Sequence, residues 1–186
     1  MNPIVIEQSP DDVRLAFEVH NNAAIQRIRL ARAKVASQAI DETPKAPIVV
    51  NFSFKSKPLQ SPRNIMRLEI AFRMAGVEER GESDHTRRKP EPVVLVECAY
   101  EVDYEVLDGF EPSAGHIKAF KDGNAIFNAW PYFREYLQNN LQRMGLPPLV
   151  APFLRLQARA KPAEPRQNAP KAARKVPASK PTLSVP

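Results

Sequence analysis

The chain has 186 residues, a formal net charge of +6, 43% hydrophobic residues and one cysteine. That length suits about one domain with enough chain to bury a core, and no apolar run approaches the ~20 residues of a membrane helix. A single cysteine excludes an internal disulfide, and residues 1–18 lack the basic start and apolar stretch of a secretory signal, so a reducing, cytoplasmic location is expected.

The charge is unevenly placed. Residues 157–186 hold seven Lys or Arg and one acid, which accounts for the whole net charge and leaves residues 1–156 with 20 bases and 20 acids. The terminal stretch is crowded with Pro and Ala and lacks aromatics, the composition of a disordered tail. The body therefore carries no electrostatic footprint for nucleic acid. The tail alone could supply salt-sensitive attraction to nucleic acid or an acidic membrane surface, and it has no rings on which single-stranded bases could stack.

In chain order, Ser9-Pro10-Asp11-Asp12 reads as a helix start: a capping Ser, Pro in the first turn, and acids near the positive helix end. A helix over about 10–24 would set Val13, Phe17 and His20 on one face, with His20 at the edge of the core. From Gln26 to Ser37, Ile28 and Leu30 alternate with Arg27 and Arg29 as in a strand, although the Ala-rich composition also suits a helix. Pro44 and Pro47 mark 41–47 as loop. Three alternating segments follow at 48–55, 65–75 and 93–107, joined by a connection over 57–64 and a charged hairpin loop over 77–92. In the second, Met66, Leu68, Ile70, Phe72 and Met74 alternate with Arg67, Glu69, Ala71 and Arg73. Period two held this long means an antiparallel sheet with one apolar and one wetter face.

Residues 109–123 read as loop. The stretch from about 124 to 144 is then an amphipathic helix, with Phe127, Trp130, Phe133, Leu137, Leu141 and Met144 along one stripe. Gly145 can take the left-handed position after its end, and Pro147-Pro148 forbid continuation. Covering the apolar sheet face is the obvious task of this helix.

Catalytic and metal chemistry is not expected. His20, His85 and His116 have no partner at metal-ligand spacing. Ser113 and His116 hint at a nucleophile pair, but no nucleophile elbow surrounds them. Cys98 falls in the apolar phase of its strand, where a buried structural thiol is the default. Glu97, Glu101, Asp103 and Glu105 form an acidic row on the wet face, with Arg67 and Arg73 as suitable cross-strand partners. No glycine-rich phosphate loop exists, and no cofactor is expected.

Trp-Pro-Tyr-Phe-Arg-Glu at 130–135, the amphipathic helix it begins, Gly-Leu-Pro-Pro at 145–148 and Val-Ala-Pro-Phe at 150–153 resemble the helix and following segment of the SecB protein-export chaperone family. Ile25-Gln26-Arg27-Ile28 resembles the opening of that family's first strand, which favours a strand there. The resemblance spans residues 25–156. It implies an α+β fold, a four-stranded antiparallel sheet with a long helix packed on one face. Residues 1–24 would be an N-terminal extension with an extra helix and 157–186 a disordered basic tail. It also implies an ATP-independent chaperone that holds unfolded or precursor polypeptides for export and assembles as a dimer of dimers. Some relatives instead protect the antitoxin of a toxin–antitoxin pair. The client groove would be lined by Phe52, Phe54, Leu59, Trp130, Tyr132, Phe153 and Leu154. Leu59, Phe153 and Leu154 are the strongest candidates, because neighbouring prolines and polar flanks suggest loop exposure, whereas Phe52 and Trp130 also suit the core. Three departures stand out: no second helix follows the Pro-rich turn, the N-terminal helix is additional, and the body is electrically neutral. SecB meets its motor SecA partly through an acidic surface, so neutrality argues against hand-off to SecA.

Overall fold

A computed structural model describes residues 2–38, 47–79 and 91–159. The expected loops at 41–47 and 77–92 and the tail beyond 159 lie largely outside those residues. Four strands, β2 (Ala23–Ser37), β3 (Ile48–Leu59), β4 (Ile65–Glu78) and β5 (Val94–Val106), form one antiparallel sheet in the order β2-β5-β4-β3. The strand reading of 26–37 therefore holds, and its arginines explain why. They alternate with Ile28 and Leu30 so that Arg27 and Arg29 stand opposite Asp103 and Glu101 on β5.

Register keeps the two faces pure. Phe54, Phe72 and Cys98 lie side by side, as do Phe52, Met74 and Val96. On the inner face, Met66, Leu68, Ile70, Phe72 and Met74 are all buried, with Val96, Val102 and Tyr104 beside them. The long helix α3 (Asn124–Arg143) covers this surface over β3, β4 and β5. Phe133 stacks on Phe72 with ring centroids 4.9 Å apart, and Trp130 stands edge-on to Phe72 at 5.6 Å. Each such fully buried side chain contributes roughly 1.5–3 kcal/mol.

The helix ends as its sequence dictates. Gly145 has φ +70°, the Leu146 N–H donates to the Leu141 carbonyl, and the Gly145 N–H donates to that of Gln142, the paired bonds of a Schellman stop. One member of the expected stripe departs: Phe127 is 47% exposed, while Ile126 and Ala129 turn inward.

Other differences lie outside the four-stranded sheet. The stretch 109–123, read as loop, contains helix α2 (Ala114–Lys121), whose eight residues are too few to show strong periodicity. Helix α1 (Pro10–Asn22) is capped by Ser9, which accepts the Asp12 N–H. Its inward residues are Ala16 and Val19. Val13 and Phe17 do share a face, but that face is exposed, and so is His20, whose ring stacks on Phe17 at 6.2 Å. Small residues won the interior because α1 lies close against α2. Two short segments that sequence left unassigned, β1 (Ile4–Gln8) and β6 (Leu154–Ala158), pair in parallel. The chain after Arg155 thus continues as a strand through Ala158 before the basic stretch.

Candidate functional site

Trp130 organises the candidate groove. Its ring is 4% exposed, edge-on to Phe52 at 6.2 Å, and its indole N–H donates to the Pro152 carbonyl at 3.1 Å. That bond holds the segment after α3 against the helix. The prolines at 147, 148 and 152 keep this segment out of the helix. Ala151 and Leu154 point inward. Val150 and Phe153 point out, with 63% and 72% of their surfaces exposed. The Arg134 guanidinium lies 5.1 Å from the Phe153 ring centre, a cation–π contact that orients the ring without covering it.

The seven expected groove residues are distributed unequally. Phe52 and Phe54 sit half-buried on the inner face of β3, against the core. Trp130 is core. Tyr132 is 45% exposed on α3, its ring 6.2 Å from Tyr100, whose hydroxyl donates to the Tyr132 carbonyl at 2.9 Å. Phe153 is open, as loop exposure suggested. Leu154 is not: it is 6% exposed in β6, opposite Ile4. The partner strand that buries it lies about 150 residues away, where no local pattern reaches.

Leu59 belongs elsewhere. The connection expected from residue 57 begins only after Leu59, which ends β3 opposite Arg67, on the outer side of the sheet. There it lines a separate cleft of about 820 Å³ with Pro62, Met66, Leu107 and Phe110. The structure therefore does not join Leu59 to Phe52 and Trp130.

Several exposed apolar residues were not among the groove candidates. Phe127 and Val150 flank α3, and Ile25 (48%) and Leu30 (46%) lie on the inner side of β2, beyond the reach of α3. The signal for Val150 was its position between Pro148 and Pro152. The signal for β2 was its place at a sheet edge, which only topology reveals.

The titratable groups outside the groove make structural contacts. His116 Nδ1 lies 2.7 Å from the Ser113 hydroxyl and Nε2 lies 2.8 Å from the Glu18 carboxylate. Ser113 is the N-cap of α2, accepting the His116 N–H, and the His–Glu contact ties α2 to α1. The His116 hydrogen bond, with help from Arg14, holds the Glu18 carboxyl below its ordinary pKa against the opposing effect of burial. Burial pushes the Cys98 thiol up to about 12, so it stays protonated and unreactive. Among the described residues three acids of the row are paired, Glu97 with Arg73, Glu101 with Arg29 and Asp103 with Arg67 and Arg27, and Glu105 has no ion pair. Asp103 accepts from Arg67 (2.5 and 3.0 Å) and Arg27 (2.6 Å), and Glu69 from Arg32 (2.7 and 2.9 Å). Those bonds depress both carboxyl pKa values, the Arg67 and Arg32 contacts contributing most. Ionised, arginine-bound carboxylates are poor proton donors at neutral pH. Among the described residues no cluster of His, Cys, Asp or Glu is placed to hold a metal ion.

No protein-family model matches the sequence, and comparison with curated proteins yields no match. Comparison of structures does. The chain is similar to the Mycobacterium tuberculosis SecB-like chaperone Rv1957, solved in complex with a ChAD peptide from the Rv1956 HigA1 antitoxin. The TM-score is 0.63 at 20% identity, over 77% of this chain and 99% of that one. A protein of unknown function from Streptococcus agalactiae aligns more loosely (TM-score 0.39, 8% identity, 70% and 97% coverage) and bears on nothing here. The first likeness shows that the fold is SecB-like: α+β, with a four-stranded antiparallel sheet under a long helix. Among the described residues no helix is long and apolar enough to cross a membrane.

Proposed function

We propose that this protein is an ATP-independent, SecB-like chaperone that holds unfolded polypeptides in the cytoplasm. One observation carries the reading: beside the buried Trp130–Phe52 contact, the segment after α3 keeps Val150 and Phe153 in solvent, with Tyr132 and Phe127 exposed on α3 itself. Exposed apolar surface on α3 and on the segment after it is what a client chain can cover. Phe52 and Phe54, half-buried at the margin of the core, would form the floor, and Phe153 and Tyr132 the rim. Trp130 and Leu154 would act by holding the rim in place. Leu59 would serve a client only through the separate cleft at the other end of β3.

The subunit is proposed to assemble as a dimer of dimers, with the exposed inner side of β2 as one contact. An antitoxin-dedicated role is the second reading, favoured by the antitoxin peptide on the structurally similar chaperone. Holding precursors for export is the first. Suppression of the aggregation of a denatured client, without nucleotide, tests the holdase. No suppression at a severalfold excess of protein would refute it. The polypeptides that co-purify with the full chain from its native cytoplasm separate the two readings: a single small partner points to the antitoxin, a spread of precursors to export.

A further inference from the structure

The outer face of the sheet, away from the proposed groove, holds a second concavity whose chemistry is different. Side chains there stand in register rows across all four strands. One row reads Arg32, Ala99, Ala71, Lys55, and the next reads Lys34, Glu97, Arg73, Ser53. Ala71 in mid-sheet leaves a trough between longer side chains, and Ala99 beside it is fully buried. The result is a cavity of about 330 Å³ lined by Arg32, Lys34, Lys55 and Arg73 with a single acid, Glu97.

Charge on this face is otherwise balanced. Arg32 reaches over Ala99 to Glu69, and Arg73 bonds Glu97 at 2.9 Å. Lys57 takes the remaining side of Glu69 at 3.2 Å. Among the described residues Lys34 and Lys55, both exposed, have no ion-pair partner. They stand at opposite ends of the trough, on the two edge strands, so the cavity holds two uncompensated positive charges, with Ser53 beside Lys55 on β3.

We propose that this trough binds a short acidic polypeptide segment, whose carboxylates pair with Lys34 and Lys55 while its backbone crosses Ala71. The surroundings select a short segment over a long polyanion. Beyond the trough Arg27, Arg29 and Arg67 are taken up by Asp103 and Glu101, and Glu105 adds a further acid, so a nucleic acid or anionic membrane extending past it would meet no free positive charge there among the described residues. Among the described residues the outer phase of the four strands also carries no aromatic side chain on which a base could stack. The site takes charge, whereas the groove at α3 takes apolar surface, so its success or failure is independent of the holdase reading.

The test uses the full-length chain with Lys161, Arg166, Lys171, Arg174, Lys175 and Lys180 replaced by Gln, which removes tail attraction. The probe is a fluorescent ten-residue peptide carrying two glutamates in a Gly/Ser background, with its Gln counterpart as control, read by anisotropy at low salt. The acidic peptide should bind and the Gln peptide should not. Lys34→Glu with Lys55→Glu should weaken binding about tenfold or more. If that pair disturbs folding, Lys34→Gln with Lys55→Gln should still weaken it about threefold. Undiminished binding by the variants, no binding at millimolar peptide, or equal displacement by the same concentration of inorganic phosphate would each overturn the proposal.

Discussion

Two phenylalanines on either side of the Pro152 anchor provide the sharpest contrast. Phe133 is fully buried, packed on Phe72, Trp130 and Phe52, whereas Phe153 is 72% exposed and touched by Arg134. Phe133→Ala should cost about 3–5 kcal/mol of stability, because it removes transfer energy and leaves a cavity. Phe153→Ala should move stability by about 0.5 kcal/mol or less, as for most surface changes. Its effect should fall on clients instead. A phenylalanine offers roughly 200 Å². With 72% of it open, complete coverage at ~25 cal/mol/Å² would be worth about 3–4 kcal/mol. Half coverage gives roughly 1.5–2 kcal/mol, a loss of about ten- to thirtyfold in affinity. The assay is urea denaturation of both variants alongside anisotropy titration of an unfolded, labelled client peptide. Should Phe153→Ala leave the affinity unchanged while its stability is also unchanged, the ring is not part of a client surface.

Further outcomes follow from the core and the ion pairs. Because the Asp103 and Glu69 carboxyls are depressed in the folded state, their contribution is complete above the ordinary carboxylate pKa of about 4. It is lost as pH falls through the folded values. Melting temperature should therefore fall below about pH 4, with a shallower fall in Asp103→Asn, and an identical acid profile in that variant would contradict the linkage. Cys98, buried with its thiol pushed up to about 12, should resist maleimide in the native protein at pH 7.5 and label fully in urea. Gly123 lies where a methyl group would meet the Gln8 side chain at 2.6 Å, and Gln8 is buried while donating to the Ala119 carbonyl at 2.7 Å. Gly123→Ala should therefore destabilise the protein by about 1–3 kcal/mol through displacement of that amide, measured by denaturant titration.

Local pattern carried most of the architecture. Strict alternation located β4 and β5, and the stripe with its Gly145 stop located α3 to within a residue of its end. The acidic row on β5 announced its partners Arg67 and Arg73 on β4, and β2 supplied two more, Arg27 and Arg29. What sequence could not reach was set by distant partners. Strand β6 exists because β1 lies beside it, and that pairing buries Leu154 against the expectation of a loop. Strand β3 runs on to Leu59 because β4 offers partners as far as Arg67, which puts Leu59 on the opposite face from Phe52. The exposed face of α1 was legible as a face but not as the outer one, since Val13 and Phe17 outrank Ala16 and Val19 in apolar bulk. Of the candidate groove, the exposure of Phe153 was legible and the anchoring of its segment by the Trp130–Pro152 bond was not.

A photoreactive phenylalanine placed at position 153 tests the chaperone reading at its centre. Irradiation with a reduced, unfolded client should yield a covalent adduct, as should positions 150 and 132, whereas position 105 on the acidic strand should yield little. Uniform crosslinking at all four positions, or none at 153 while the protein still suppresses aggregation, would show that clients are held somewhere other than beside α3.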